Sequence, residues 1–499
     1  MLFYSLEFIL LFLPLVGLGY YISYRLFKAE GVILFLSAAS LVFYSFWGWD
    51  FLAILIVSIG VNFSFYRSLA SNWTGANDRR ATCLLISAIA FNLAWLGYFK
   101  YQGFFFENIS MFLGKDYEPL RVLFPVGISF YTFIQIGFLI DARSGMIEGA
   151  KPVSISRYFL FGSFFPYVTA GPLVLQNEML PQMDSDSLRP SANRAILGFS
   201  IFSIGLAKKL ILADALSGHA EEIFKAAMFR EDIGALAAWG GSVAYTLQLY
   251  FDFSGYSDMA LGLGLMFGLL LPLNFNSPLK ASNIIDFWRR WHMTMTRFFT
   301  NYIYSPVAIA LTRKSIGSGY SPALKLTLCV AYPTILTFLL AGIWHGAGWN
   351  FVVFGLIHGF ALTVNHFWNS LRPWALPNVV GWFLTVGVFV VSLVFFRSAN
   401  VPDALYLLGE MLSFASGSKQ ISGTEFALLG GMLAIALLAP NTLEIFSSQK
   451  ISSDSIRPGG SLISVRWSPS ISWALGLAVL VFLSVSLGVN ETPFIYYKF

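Results

Sequence analysis

Charge is scarce in this sequence. Only 11% of its 499 residues are Asp, Glu, Lys or Arg, against about 25% in a typical soluble domain. Such a chain cannot clothe a water-facing surface, so a soluble fold is excluded and lipid is the expected solvent. Cysteine is nearly absent. Cys83 and Cys329 both lie in apolar runs, which excludes a disulfide framework and predicts two buried thiols. Histidine is scarce as well. No two histidines stand at i, i+4 and no HExxH occurs, so no metal site is expected. The absence of GxSxG weakens a Ser/His/Asp reading. No internal repeat supports the inverted-repeat plan of many transporters, and no short alternating strands suggest an outer-membrane barrel.

What is present is apolar: 57% of the chain is hydrophobic. A helix needs roughly 20 apolar residues to cross a bilayer. The runs between 2–22 and 471–489 therefore predict an all-α, polytopic integral membrane protein. About ten to thirteen segments are expected, some re-entrant or broken. The chain reads as one membrane-embedded domain over 1–499, with the helices after about 400 as a peripheral addition. No basic residue precedes the first run and no small-residue cleavage site follows it, so that segment is expected to be retained. The net charge of +5 reflects loop Lys and Arg, not nucleic-acid binding. Arg25 and Lys28, then Arg67, Arg79 and Arg80, then Lys450, Arg457 and Arg466 mark cytosolic loops and put the N-terminus outside.

Ionisable groups inside a membrane are costly and each needs a reason. His219, beside Glu221 and Glu222, reads as a solvated loop residue, and His366 as an interface residue. His345 lies in AGIWHGAGWNFVVFGLIHG, residues 341–359, between long apolar stretches. It is either a core histidine bonded to a neighbouring helix or a reacting group. Trp344 and Asn350 flank it, and His358 closes the motif as a core residue or a partner held behind His345. The segment 282–306 mixes Asp286, Arg289, Arg290, His292 and Arg297 with aromatics. Helical spacing puts Trp288, His292 and Thr296 on one face, and Asp286 can pair with Arg290. An interfacial amphipathic helix explains the same pattern. In 251–268, Asp252 and Asp258, preceded by Gln248, either line a substrate path or sit as charges near a segment end. Gly262, Gly264 and Gly268 read as helix packing, not as a nucleotide loop.

Several stretches together, LFPVGISFYTFIQIGFLID (123–141), FDFSGYSDMALGLG (251–264), NFNSPLKASNIIDFWRRWHMTMTRFFTNYIY (274–304) and AGIWHGAGWNFVVFGLIHG (341–359), with FFRS (395–398) and the ending PFIYYKF (493–499), closely resemble the membrane-bound O-acyltransferase family. The nearest branch looks like the one that O-acetylates alginate. The resemblance implies a ring of tilted helices around a tunnel joining a cytosolic donor to an acceptor on the far side. It implies that His345 is catalytic, with His292 as the second essential residue. The tunnel-lining candidates are then Gln248, Asp252, Asp258, Trp288, Trp344, Asn350 and His358, and the donor-binding candidates are Arg289 and Arg290. The donor expected is an acyl thioester, acetyl-CoA or an acyl carrier, with no bound cofactor. The partners expected are an exported polysaccharide or an extracytoplasmic SGNH-type protein, in a bacterial cytoplasmic (inner) membrane.

Chemistry agrees with that implication. Transfer from a thioester to a hydroxyl needs a base near neutral pH, and burial keeps imidazole uncharged. His345 would take the proton, while His292 would orient the donor or stabilise the oxyanion. Both should meet at one tunnel, with His345 deep in the bilayer and His292 toward the cytosol. The competing readings are an acyl-group transporter and a scaffold subunit of an export complex, neither with chemistry of its own.

Overall fold

In lipid the backbone has only itself to hydrogen-bond, and the helix is the local solution. The computed structural model describes residues 1–71, 79–114, 122–147, 152–183, 186–371, 374, 376–413, 416–454, 463–488 and 492–498. Among them there are helices and no strand. Seven helices are long and apolar enough to span a membrane: Phe8–Ser45, Trp49–Ala70, Arg79–Leu113, Ala192–Met228, Pro322–His345, Trp349–Leu371 and Asn378–Arg397. Gly423–Leu438 and Ile471–Leu487 are shorter apolar helices. The first of the seven is itself two arms. Lys28 has φ 57°, and a Cβ on Gly19 would lie 2.2 Å from the Phe35 ring, so the chain folds back on itself there. The apolar run expected at 2–22 falls in the first of these arms.

Contacts divide the chain into two compact units. The first comprises Met1–Leu206, Tyr256–Leu273 and Lys450–Ile456. One buried pair of amides is satisfied across helices, as lipid-embedded polar groups favour. Asn92 donates to Asn62 at 2.6 Å and Asn62 returns a bond at 3.1 Å. Gly262 packs on the backbone of Gly198, where a Cβ would lie 2.4 Å from the carbonyl oxygen. That contact is the helix packing expected of the 262–268 glycines. Asp258 is buried in this unit.

The second unit comprises Ala207–Gly255, Asn274–Gln449 and Arg457–Phe499. Its central feature is the pair of helices Tyr332–His345 and Trp349–Leu371. Glycines bring them together: a Cβ on Gly355 would sit 2.3 Å from the Phe338 oxygen, and one on Gly342 2.4 Å from the Phe351 oxygen. Asn350 then ties the second helix to the end of Asn378–Arg397, donating to Ser398 at 3.0 Å and Phe395 at 3.3 Å.

Helix Val401–Leu412 is held to the second unit by Trp239 donating to the Met411 carbonyl at 3.0 Å and by the Arg230–Asp403 ion pair at 3.0 Å. Three expectations change. His219 is no loop residue. It lies in helix Asp214–Met228, with Nδ1 3.2 Å from a Glu425 oxygen, because the acidic partner comes from a distant segment. Cys83 is exposed on its helix and only Cys329 is partly covered, since an apolar run in lipid may face outward at no cost. Finally, 282–306 is not one helix, as described below.

Candidate active site

His345 is the last residue of its helix. Gly346 takes an extended conformation, φ −165° and ψ 159°, and the next helix starts at Trp349. His345 therefore stands at the end of the 24-residue Pro322–His345 span, not at its middle. It is buried, 4% exposed, within a ring of aromatics. Centroid distances are 4.8 Å to Trp344, 5.2 Å to Phe396, 5.6 Å to Phe354 and 5.8 Å to Tyr496.

His292 owes its position to a break. Helix Ile284–Trp288 ends, His292 turns to φ 42° and ψ 52°, and Met293–Phe299 begins. Trp288, His292 and Thr296 thus do not share one helical face. A left-handed non-glycine residue costs of order 1–3 kcal/mol and persists only where its surroundings enforce it. Asn274 enforces it here. Its carbonyl accepts the Met293 N–H at 3.0 Å. Its Oδ1 accepts the Thr294 hydroxyl at 2.9 Å and the Thr294 N–H at 3.4 Å.

The same Oδ1 lies 3.0 Å from His292 Nδ1. A backbone N–H can only donate, so the Asn274 atom at this point is an acceptor, and His292 Nδ1 must donate to it. The neutral imidazole then carries its lone pair on Nε2. Nε2 is buried with no hydrogen-bond partner among the described residues. His292 lies outside the seven apolar spans, and burial holds its pKa well below the usual imidazole value. The ring is neutral, with a preset proton acceptor.

These two imidazoles, 53 positions apart in sequence (345 − 292), face a common set of rings. Trp344 lies 6.1 Å from His292 and 4.8 Å from His345. The sum, 6.1 + 4.8, limits the two imidazole centroids to about 11 Å. Tyr496, from the turn Ile495–Lys498, bridges them from another side at 6.0 Å and 5.8 Å. Phe253 closes on His292 at 4.7 Å and on Tyr496 at 4.3 Å. Neutral imidazoles in so dry a setting can accept a hydroxyl proton, and the free His292 Nε2 is an acceptor of this kind.

The remaining candidates take other places. His358 is fully buried, with Nε2 2.8 Å from the Ser392 hydroxyl and Nδ1 accepting from Trp288 Nε1 at 3.3 Å. The Phe354 ring touches both His345, at 5.6 Å, and His358, at 4.8 Å. Gln248 is buried on helix Ala235–Met266. Asp252, on the same helix, pairs with Lys209 at 2.9 Å. Arg290 pairs with Asp286 at 2.9 Å, the i, i+4 contact read from the sequence, and Arg289 is exposed. A cavity of about 620 Å³ opens beside this segment, lined by Asn283, Asn365, Trp368, Asn369 and Asn378 among others. Among the described residues no cluster of His, Cys, Asp or Glu could hold a metal ion. Asn274, Phe253, Phe396 and Tyr496 were assigned no role from sequence. Each lies within a family-like stretch quoted above, and that was their only signal.

Comparison with known proteins places the chain in a family. Residues 82–401 match the membrane-bound O-acyltransferase family. The chain is 38% identical to a peptidoglycan O-acetyltransferase of Helicobacter pylori over 81% of this chain and 78% of that protein. It is 32% identical to a probable alginate O-acetylase of Pseudomonas putida over the full length of both. A teichoic acid D-alanyltransferase of Bacillus subtilis is 28% identical over 55% of this chain and 68% of its own. Its all-helical membrane architecture and these relatives together make the chain a multi-pass O-acyltransferase that belongs to the membrane-bound O-acyltransferase family.

Proposed function

We propose that this enzyme moves an acetyl group from a cytosolic thioester, acetyl-CoA or an acyl carrier, to an exported polysaccharide or an extracytoplasmic SGNH-type acceptor. Its place is the bacterial cytoplasmic membrane. The observation that carries the reading is the convergence of His292 and His345 on the shared rings of Trp344 and Tyr496. The relatives, two of which act on acetyl groups by name, support the choice of acyl group.

In the proposed reaction the acceptor hydroxyl gives its proton to an imidazole nitrogen. Its oxygen forms a bond to the thioester carbonyl carbon, the C–S bond breaks, and the leaving thiolate is reprotonated. His345 serves as base and His292, whose one N–H is given to Asn274, positions the donor. The lone pair on His292 Nε2 also suits it to exchange that proton. Arg289 is the better donor-binding candidate of the two arginines, being exposed while Arg290 is engaged with Asp286. Exposed guanidinium suits the phosphates of coenzyme A or a carrier arm.

The test is transfer of radiolabelled acetyl from acetyl-CoA or acyl carrier to cell-surface polymer in membranes carrying wild type, His345→Ala or His292→Ala. Loss of transfer in both variants at equal protein abundance supports the reading. Near wild-type transfer in His345→Ala would turn the assignment toward a transporter or scaffold.

A further inference from the structure

The reaction proposed above makes no use of the most expensive polar group in the second unit. Lys209 and Asp252 are each 1% exposed. Lys209 Nζ lies 2.9 Å from both Asp252 Oδ1 and Asp214 Oδ1. A π-turn, Lys208–Ala213, carries the lysine, and such turns are enriched at functional sites. Three ionised groups so deep cost several kcal/mol each to desolvate, and well-packed apolar side chains would commonly serve stability as well or better. A role beyond stability is therefore worth seeking.

The network grips the C-terminal segment at two points. Lys209 Nζ donates to the Thr492 hydroxyl oxygen at 3.0 Å, and that hydroxyl donates to Asp214 Oδ1 at 2.5 Å. Asp252 Oδ2 accepts the Ile495 N–H at 2.9 Å. The next residue is Tyr496, whose ring stands between the two histidines. Asp252 and Phe253 are neighbours on one helix, so the carboxylate holds the Ile495 backbone just where the Phe253 ring meets Tyr496 at 4.3 Å.

We propose that Lys209, Asp214 and Asp252 form an ionic latch that pins the 492–496 segment, and that Asp252 is thereby a positioning residue for acyl transfer, setting the Tyr496 ring against His292 and His345. The inference rests on the reading of those histidines as the reaction centre. A misplacement of about 1 Å near reacting groups costs on the order of 100-fold in rate, which is reason enough for a latch where packing alone would leave the segment free to shift.

The experiment compares two charge-neutral double variants, K209M/D252N and K209M/D252L. Both variants leave Asp214 without its lysine to the same extent, neither strands a charge at 209 or 252, and Asn and Leu are similar in volume. Only Asn keeps an acceptor for the Ile495 N–H. Acetyl transfer is measured against donor concentration in purified protein, beside thermal unfolding in detergent and His345→Ala. The latch predicts that kcat of K209M/D252L falls at least about tenfold below that of K209M/D252N. Donor KM and the thermal midpoints should match. Equal kcat in the two variants overturns the latch, and so does loss of the folded state in either, which would make the network a requirement of folding. Near wild-type transfer by His345→Ala instead removes the reaction centre, whatever the latch variants do.

Discussion

His345 and His292 are buried imidazoles held by different means, and their substitutions should fail differently. His345 is framed by four rings and carries the proposed proton transfer. His345→Ala should lower transfer by about 10²–10⁴-fold, the usual worth of general acid–base catalysis, with detergent-extracted yield unchanged. Parallel measurement of activity and yield checks this. His292 depends on Asn274, whose one oxygen serves the Thr294 hydroxyl, the Thr294 N–H and His292 Nδ1. Asn274→Leu removes the acceptor and releases the imidazole from its tautomer. Transfer should fall roughly 10–100-fold, as for other groups that orient a reacting histidine. The left-handed turn should also lose about 1–3 kcal/mol from the stranded donors. Asn274→Asp keeps an oxygen in place and should retain more activity than Asn274→Leu. Equal activity in the two would show that the oxygen does not set the ring.

The site is built by elements that end where they do for readable reasons. Gly346 stops one helix so that His345 is terminal, and Gly342 and Gly355 let the next helix lie backbone to backbone against it. A branched side chain has no room there. Gly355→Val would place its Cβ 2.3 Å from the Phe338 oxygen, forcing the helices apart. Overpacking of this kind costs typically 1–3 kcal/mol. A lower thermal midpoint in detergent is expected, together with reduced transfer because His345 moves with its helix. Unaltered unfolding in Gly355→Val would mean that the helix pair tolerates separation. The break at His292 is the counterpart. Sequence spacing reads 282–306 as one amphipathic helix, and locally that holds: Asp286 and Arg290 pair as the i, i+4 rule requires. The continuation fails because Asn274, 18 residues earlier, captures Met293 and Thr294 and turns the chain.

At the scale of the whole molecule, the basic residues predict an orientation with the N-terminus outside. That orientation would turn the reversal at Lys28 to the cytosol and the turn before Trp49 to the outside. Lys28 is exposed, and Trp49 is 77% exposed. In protein whose Cys83 and Cys329 are replaced by Ser, Trp49→Cys should react with a membrane-impermeant maleimide in intact cells, and Lys28→Cys only after the membrane is opened. The reverse pattern would invert the topology. Several features were settled by the sequence alone: the lipid solvent, the helical class and the family-like stretches. These depend on composition and on neighbours a few residues apart. The meeting of residues 253, 274, 292, 345 and 496 was decided by tertiary structure. In water an apolar stripe tells which helix face is inward. In lipid both faces are apolar, so periodicity no longer says which segments touch. His219 with Glu425, Lys209 with Thr492 and Tyr496 between two histidines are long-range contacts. No spacing along the chain encodes them, and only packing brings them together.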